Sequence, residues 1–220
     1  MNAPSWHLEC LPEGLWKLAQ NLAPIAAEHG AVLAGGTALA LKLGHRISVD
    51  LDFFCAADVR HERILAHVRK GQGEPRILVE DPESLMLLSG KTKVSFFRHE
   101  YPFLDTAGEL DGIRIAGNLD IAAMKLIAIS QRGLKRDFVD LYTLLQTVPA
   151  FQISGHAVRR YGRERINPMV IGKALVYFTD AEGEPDPNYP KGRGVAWTKV
   201  KSFFRAHAKR LVLDLDGAVK

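Results

Sequence analysis

The sequence is poor in cysteine and has no long apolar run, and these two absences exclude several classes of protein. Cys10 and Cys55 are the only cysteines among 220 residues, too few for a disulfide framework or a multi-cysteine zinc site. The longest nearly uncharged apolar stretch, residues 31–41, contains two glycines and is well short of the roughly 20 residues that span a bilayer. The N-terminus has neither a basic start nor an apolar core, so no secretion signal is expected. We therefore predict a protein of the reducing cytoplasm with no membrane partner.

Charge is ordinary in amount but uneven along the chain. The composition is 47% hydrophobic and 25% charged, which is typical of a globular domain and excludes a mainly disordered chain. Residues 1–120 hold 12 basic and 16 acidic side chains, whereas residues 121–220 hold 17 basic and 9 acidic. A basic C-terminal half suits polyanions such as nucleic acid or a nucleoside triphosphate, although solvated helical faces explain it equally well.

The hydrophobic period changes near Gly117 and predicts two regions. Short apolar or alternating runs predict strands before this point, and a helical period dominates after it. We predict an α+β protein with a mixed-sheet core over residues 1–117 and a helical region over 118–220 that packs on it. The predicted helices are 15–28, 38–43, 59–70, 119–131, 135–147, 169–178 and 198–211, and the predicted strands are 31–34, 49–54, 76–80, 85–88, 92–97 and 113–115.

Two aspartates alternate with apolar residues in the predicted strand 49–54. Because successive side chains of a strand point to opposite faces, Asp50 and Asp52 share one face, with Val49, Leu51 and Phe53 on the other. Two carboxylates this close repel each other, and a divalent cation that prefers oxygen, such as Mg²⁺, stabilises them. The pattern therefore predicts a metal site on this strand.

A pair of glycines, Gly35 and Gly36, stands between a predicted strand and a predicted helix that Thr37 caps. The backbone N–H groups of such a turn and the positive end of the helix dipole bind phosphate, and a Cβ would keep the phosphate away from the backbone. A Gly-Gly turn alone is more often a packing feature. Followed by Asp50 and Asp52, it predicts phosphate and metal sites on neighbouring elements, which nucleotidyl transfer needs.

Two stretches together resemble a known family. Residues 34–54 read AGGTALALKLGHRISVDLDFF, and the second stretch contains Asp120-x4-Lys125 followed by RGLKRDFVDLY at 132–142. Both are similar to motifs of the AbiEii/AbiGii-type abortive-infection toxins, which are minimal nucleotidyltransferases of the polymerase β-like superfamily. Residues 174–182 are similar to the C-terminal region of that family, so the resemblance covers roughly residues 30–205.

The resemblance implies a nucleotidyltransferase fold, with a mixed sheet flanked by helices and a helical C-terminal part. It implies Mg²⁺-dependent transfer of a nucleoside monophosphate from a nucleoside triphosphate, with tRNA or another RNA as the acceptor and a co-encoded antitoxin as partner. The matched positions assign phosphate binding to Gly35, Gly36 and Thr37, metal binding to Asp50 and Asp52, triphosphate contact to Lys125, and nucleotide support or base catalysis to Arg136 and Asp140.

One position departs from the family pattern. A third carboxylate is usual on a later strand, and Ser95 occupies that position in the predicted strand 92–97; serine is neither a metal-bound carboxylate nor a general base near neutral pH. Either Asp140 or another carboxylate takes the role, or the acceptor chemistry differs, or the chain binds nucleotide without turnover. A small hydroxylated molecule is an alternative acceptor.

The residues of the second motif also have purely structural interpretations. Lys125 lies between apolar neighbours, where a lysine usually extends its amino group to solvent. Arg136 and Asp140 are four residues apart and would form an ordinary ion pair on a helix surface.

Overall fold

The computed structural model describes the backbone of residues 5–220 and divides it into two compact units. The first comprises the chain up to Pro102 together with Thr106–Ala116, and the second comprises Phe103–Asp105 together with Gly117–Lys220. Among residues 5–220, no helix combines the length and the apolar character that a membrane crossing requires.

A mixed β-sheet and three α-helices make up the first unit within the described residues. The helices are α1 (Leu15–Glu28), α2 (Gly35–Leu43) and α3 (His61–Gln72), and the strands are β1 (Val32–Leu33), β2 (Leu51–Cys55), β3 (Arg76–Asp81), β4 (Ser84–Ser89), β5 (Thr92–Arg98), β6 (Thr106–Leu110) and β7 (Ile113–Ala116). The strand order is β3-β4-β5-β2-β1-β7-β6. Strands β2 and β5 run parallel, as do β1 and β7, and the other pairs are antiparallel. The predicted α+β class with a mixed sheet is confirmed.

The centre of the sheet has one apolar face. Leu51 and Phe53 of β2 are fully buried, and the Phe53 ring stacks on Phe96 of β5 with centroids 5.0 Å apart. Asp50 and Asp52 alternate with these residues along the chain, so their side chains point to the other face and place no charge in the apolar one. Burial of this face fixes the strand register, because a slip of one residue would exchange the apolar and acidic faces.

The second unit is helical in its described part. Its helices are α4 (Asn118–Gln131), α5 (Lys135–Leu145), α6 (Ala150–Tyr161), α7 (Pro168–Leu175), α8 (Thr179–Glu182) and α9 (Trp197–Val219). Their core contains an aromatic cluster in which the rings of Phe178, Trp197 and Phe204 surround Phe138, with centroids 5.3 to 5.8 Å from it. Edge-to-face contacts of this kind stabilise a core beyond the apolar area that they bury.

A buried aspartate fastens the segment Phe103–Asp105 to the second unit. Asp120 is fully buried in α4. Its carboxylate lies within hydrogen-bond distance of the N–H groups of Leu104 (3.2 Å) and Asp105 (2.7 Å), Nε2 of His156 (2.9 Å) and Nη1 of Arg160 (2.9 Å). Burial raises the pKa of Asp120, but these donors outweigh it and hold the pKa below its usual value.

Several predicted element boundaries differ from the observed ones. Helix α6 was not predicted, because Ser154, His156 and Arg160 are buried in it and obscure its apolar period. Strand β6 was not predicted either. The predicted helix 169–178 ends at Leu175, and the predicted strand 49–54 begins only at Leu51, leaving Val49 half exposed.

Candidate active site

Asp50 and Asp52 lie on one face of the sheet in the first unit, as the alternation predicts. Both are partly exposed, whereas Leu51 and Phe53 between and beside them are buried. The pair therefore keeps contact with solvent while the strand that carries it is anchored in the core. Carboxylates in this setting remain available to a cation.

Lys93, which the sequence analysis did not single out, lies beside the acidic pair. Its Nζ is 3.3 Å from Oδ2 of Asp50. The parallel register of β2 and β5 places Leu51 opposite Val94. One residue earlier on each segment, Lys93 therefore lies beside Asp50 on the same face. The ammonium group compensates part of the negative charge of the pair. Its spacing of two residues from Ser95 on a predicted strand was the signal that could have identified it.

Ser95 lies directly opposite Asp52 in the register of β2 and β5. Neighbouring residues in register point to the same face, so Ser95 stands where a third carboxylate would complete the pair. It is fully buried, and among the described residues its hydroxyl has no hydrogen-bond partner. Within residues 5–220 there is no group of three or more His, Cys, Asp or Glu side chains arranged to hold a metal ion.

The glycine turn lies against the acidic pair. Gly35 has a φ of +68°, and a Cβ at this position would be 3.5 Å from Oδ2 of Asp52. A Cβ on Gly36 would come within 2.2 Å of Nη2 of Arg46, and Arg46 is itself buried. The turn thus lies close to a carboxylate and to a guanidinium group. Gly35 is favoured by its positive φ, and Gly36 by the lack of room for a Cβ beside Arg46.

Thr37 does not cap α2, contrary to the prediction. Helix α2 begins three residues earlier than predicted, at Gly35, with Ala34 as its N-cap. Thr37 is buried in the first turn, where its hydroxyl hydrogen-bonds to the Ser48 hydroxyl (2.8 Å) and donates to the Asp50 carbonyl. The side chain therefore ties α2 to the segment that leads into β2.

The cysteine at the end of β2 is inert. Cys55 is fully buried, and burial raises the pKa of its thiol to about 11. The thiol consequently stays protonated at neutral pH, which excludes a role as nucleophile.

In the second unit, Lys125 is held between two buried aspartates. Its Nζ is 2.7 Å from Oδ1 of Asp137 and 2.7 Å from Oδ2 of Asp140, and Nε of Arg132 is 3.0 Å from Oδ2 of Asp137. Both carboxylates are fully buried, so Lys125 does not extend to solvent as its apolar neighbours suggested. Arg136 is exposed and, within the described residues, has no ion pair, since Asp140 pairs with Lys125 instead.

The buried ion-pair cluster of Lys125, Asp137 and Asp140 makes the free energy of unfolding depend on pH. Burial raises the pKa of Asp137, but the charges of Lys125 and Arg132 outweigh it, so the pKa lies below its usual value. Because the pKa of Asp137 is lower in the folded than in the unfolded state, the carboxylate stabilises the fold at pH values above the unfolded-state pKa of about 3.9. This contribution is lost as the pH falls from there through the folded-state pKa. We expect the free energy of unfolding in urea to fall steeply below about pH 4. An Asp137→Asn variant should have a lower and flatter profile there, and an unchanged profile would contradict this assignment.

The comparisons with known proteins agree with this geometry. Residues 16–116 match the family described as nucleotidyl transferase AbiEii toxin, type IV toxin–antitoxin system. The uncharacterised protein aq_aa25 of Aquifex aeolicus is 35% identical over 182 residues, which are 80% of this chain and 85% of that protein. The chain belongs to the AbiEii family. It is accordingly a nucleotidyltransferase, and the predicted family resemblance is confirmed.

Two solved structures similar to this AbiEii family member support its fold. JHP933 from Helicobacter pylori has a TM-score of 0.56 at 18% identity, covering 92% of this chain and 90% of that one. The nucleotidyltransferase toxin MenT4 from Mycobacterium tuberculosis has a TM-score of 0.55 at 16% identity over the same shares, 92% and 90%. At these identities the likeness concerns the fold, and the predicted nucleotidyltransferase fold is confirmed.

Proposed function

We propose that this AbiEii family member transfers a nucleoside monophosphate from a nucleoside triphosphate to an RNA acceptor, with tRNA as the first candidate. We further propose that the reaction needs Mg²⁺, takes place in the cytoplasm and is restrained by an antitoxin. The observation that carries the proposal is the closeness of Gly35 to Asp52, since a Cβ on this glycine would lie 3.5 Å from Oδ2 of Asp52. A turn of the kind that binds phosphate thus lies beside the acidic pair. The basic composition of residues 121–220 supports a polyanionic acceptor.

The donor set of the acidic pair suits Mg²⁺, because Asp50 and Asp52 offer carboxylate oxygens from one partly exposed face. When bound, the ion would polarise a phosphoryl oxygen and lower the pKa of the attacking hydroxyl. The N–H groups of Gly35 and Gly36 would bind the triphosphate, and the guanidinium group of Arg46 would compensate its charge. Triphosphate contact by Lys125, nucleotide support by Arg136 and a catalytic role of Asp140 stay predictions.

Two alternatives rest on the same fold. Ser95 in place of a third carboxylate favours a module that binds nucleotide without turnover. A small hydroxylated acceptor would satisfy the same acidic pair and glycine turn, since neither of them recognises RNA as such.

The deciding experiment incubates the purified protein with Mg²⁺, each α-³²P-labelled triphosphate in turn and total tRNA. Label on RNA that is lost in an Asp50→Ala/Asp52→Ala variant would support the proposal and identify the nucleotide. Competition by a small hydroxylated acceptor would favour the second alternative. Triphosphate binding without labelled product would contradict the proposal and favour the binding module.

The role of Ser95 is testable by adding the missing carboxylate. In Ser95→Asp, a buried charge beside Asp52 should lower the free energy of unfolding by about 1–3 kcal/mol in the absence of divalent cations. Mg²⁺ that binds the folded state should recover part of this loss. Thermal melting with and without Mg²⁺ measures both effects.

Ser95→Asn is the matched control for this prediction, because it has the same size without the charge and should melt independently of Mg²⁺. Equal Mg²⁺ responses of the two variants would contradict a metal site at the acidic pair. A gain of transfer activity in Ser95→Asp would favour the binding-only alternative for the natural sequence.

A further inference from the structure

Strand β3 is an open edge of the sheet with an apolar centre. It pairs only with β4 in the strand order, and all six of its residues are exposed. Ile77, Leu78 and Val79 are 40%, 39% and 39% exposed and form the longest run of consecutive exposed large apolar residues in the described chain. An edge of this kind presents unpaired backbone N–H and C=O groups, which pair readily with another strand.

Strand β3 has only part of the usual protection of an edge strand. Natural edges carry proline, lysine or other charged residues, contain a β-bulge, or are covered by a loop or helix, and β3 has charged residues near its two ends and a bulge. Strand β3 contains neither proline nor lysine, and the exposure of its central residues shows that nothing in the described chain covers them. At the opposite edge, β6 contains Gly108 and an exposed Glu109 in place of an apolar run.

A β-bulge determines which residues of β3 share a face. The register with β4 shifts between Ile77 and Val79, so Leu78 is the extra residue. Across the bulge, Arg76 lies opposite Leu88, Val79 opposite Met86, and Asp81 opposite Ser84. These three residues of β4 alternate along the strand and share one face, so Arg76, Val79 and Asp81 share the corresponding face of β3. The other face of β3 carries Ile77 and Glu80.

The charge pattern of the shared face is self-complementary. Arg76 begins the strand, Asp81 ends it, and Val79 lies between them. When two copies of β3 pair antiparallel about a two-fold axis at Val79, each Arg76 lies opposite Asp81 of the other copy, and opposite charges across strands stabilise the pair. Parallel pairing would place Arg76 opposite Arg76. This register holds when Leu78 stays bulged out in both copies; one bulge then lies on each side of the axis, and the pairing keeps its two-fold symmetry.

We propose that a second copy of this chain pairs antiparallel with β3, joining the two sheets edge to edge in a homodimer. Ile77, Leu78 and Val79 lose solvent exposure in this pairing, and the free backbone groups of both edges become hydrogen-bonded. The dimer is independent of nucleotidyl transfer, because Asp50 and Asp52 lie three strands away from this edge in the sheet order.

The first test measures molar mass by light scattering over a range of protein concentrations. The wild type should approach the dimer mass as concentration rises. Arg76→Asp and Asp81→Arg each place like charges opposite each other twice and should weaken the dimer about tenfold or more. An equimolar mixture of the two variants restores opposite charges at both positions and should regain the dimer mass. Lys91→Asp, an equal charge change at an exposed residue of the β4–β5 turn, should leave the dimer unchanged.

The second test uses a cross-link and does not depend on Asp81, which also accepts hydrogen bonds from Glu83 and Ser84 in the turn after β3. Residues facing each other in an antiparallel pair have Cα atoms about 4.5–5.5 Å apart, a separation that a disulfide bridges. Oxidised Val79→Cys should therefore run as a covalent dimer on a non-reducing gel. The native Cys10 and Cys55 are buried and do not compete. Val49→Cys, exposed outside β3, should stay monomeric.

Three results would overturn the proposal. They are a monomer mass at every concentration, a dimer mass that Arg76→Asp leaves unchanged, and an oxidised Val79→Cys protein that cross-links no better than Val49→Cys.

Discussion

Asp52→Asn is expected to reduce the rate of label transfer by on the order of 10²–10³-fold, because it removes an anionic oxygen where charge must be balanced during phosphoryl transfer. The substitution keeps the size of the side chain, and Asp52 is partly exposed, so the fold should be retained. Initial rates at saturating triphosphate measure the loss. Binding of Mn²⁺ followed by electron paramagnetic resonance gives a readout that does not depend on turnover, and its affinity should fall in parallel.

Asp58→Asn is the matched control for this loss. Asp58 lies six residues further along the chain, its side chain is 82% exposed, and its nearest ion pair is a surface contact of 3.5 Å with Arg98. Exposed pairs of this kind contribute little to stability, so transfer and Mn²⁺ binding should both match the wild type. An Asp52→Asn variant with wild-type transfer would contradict the role proposed for the acidic pair.

Lys125→Met is expected to lower the free energy of unfolding by about 3–5 kcal/mol, because it leaves two buried carboxylates with one cation fewer. Asp137 retains Arg132, but Asp140 loses the ammonium group 2.7 Å away. Urea unfolding followed by circular dichroism measures the loss. A Lys125→Met/Asp140→Asn double variant also removes the buried carboxylate that faced the ammonium group and should recover part of the loss, since coupled pairs are not additive.

Arg136→Met provides the control on α5, where the side chain is exposed. Its free energy of unfolding should lie within about 0.5 kcal/mol of the wild type. If Arg136→Met loses transfer activity at wild-type stability, Arg136 supports the nucleotide directly. If Lys125→Met is as stable as Arg136→Met, the buried ion-pair assignment is wrong. Loss of activity in Lys125→Met therefore indicates catalysis only when measured on folded protein.

Local patterns predicted the acidic pair and the glycine turn because both depend on short-range geometry. Alternation along one strand is sufficient to place Asp50 and Asp52 on one face. The Gly35–Gly36 pair requires only the strand before it and the helix after it. The same local information placed Thr37 at the N-cap, and this was wrong because α2 begins at Gly35, with Ala34 as its N-cap.

Long-range pairing determines the neighbours that the sequence did not reveal. Lys93 reaches Asp50 because β5 pairs with β2 although β3 and β4 lie between them along the chain. Arg46 is recognisable beside Gly36 only when the path of the turn is known. Spacing alone suggested that Arg136 pairs with Asp140, but α5 turns Asp140 inward to Lys125 on α4.

The unpredicted α6 shows a second limit of hydrophobic patterning. Periodicity treats Ser154, His156 and Arg160 as solvent-facing, yet all three are buried. His156 and Arg160 can be buried because both hydrogen-bond to the carboxylate of Asp120, which lies more than thirty residues earlier in the chain. Pro149 before the helix and Gly162 after it were the local signals that marked its ends.

The segment Phe103–Asp105 has a consequence for how the chain folds during synthesis. It belongs to the second unit, yet β6 and β7 of the first unit follow it, and β7 supplies the parallel neighbour of β1. The ribosome therefore releases these three residues of the second unit before the first sheet is complete, and their hydrogen bonds to Asp120 form only after α4 has been made. A fragment that begins at Gly117 would also lose the two backbone donors of Asp120. Cutting the chain at any single point therefore leaves one unit incomplete.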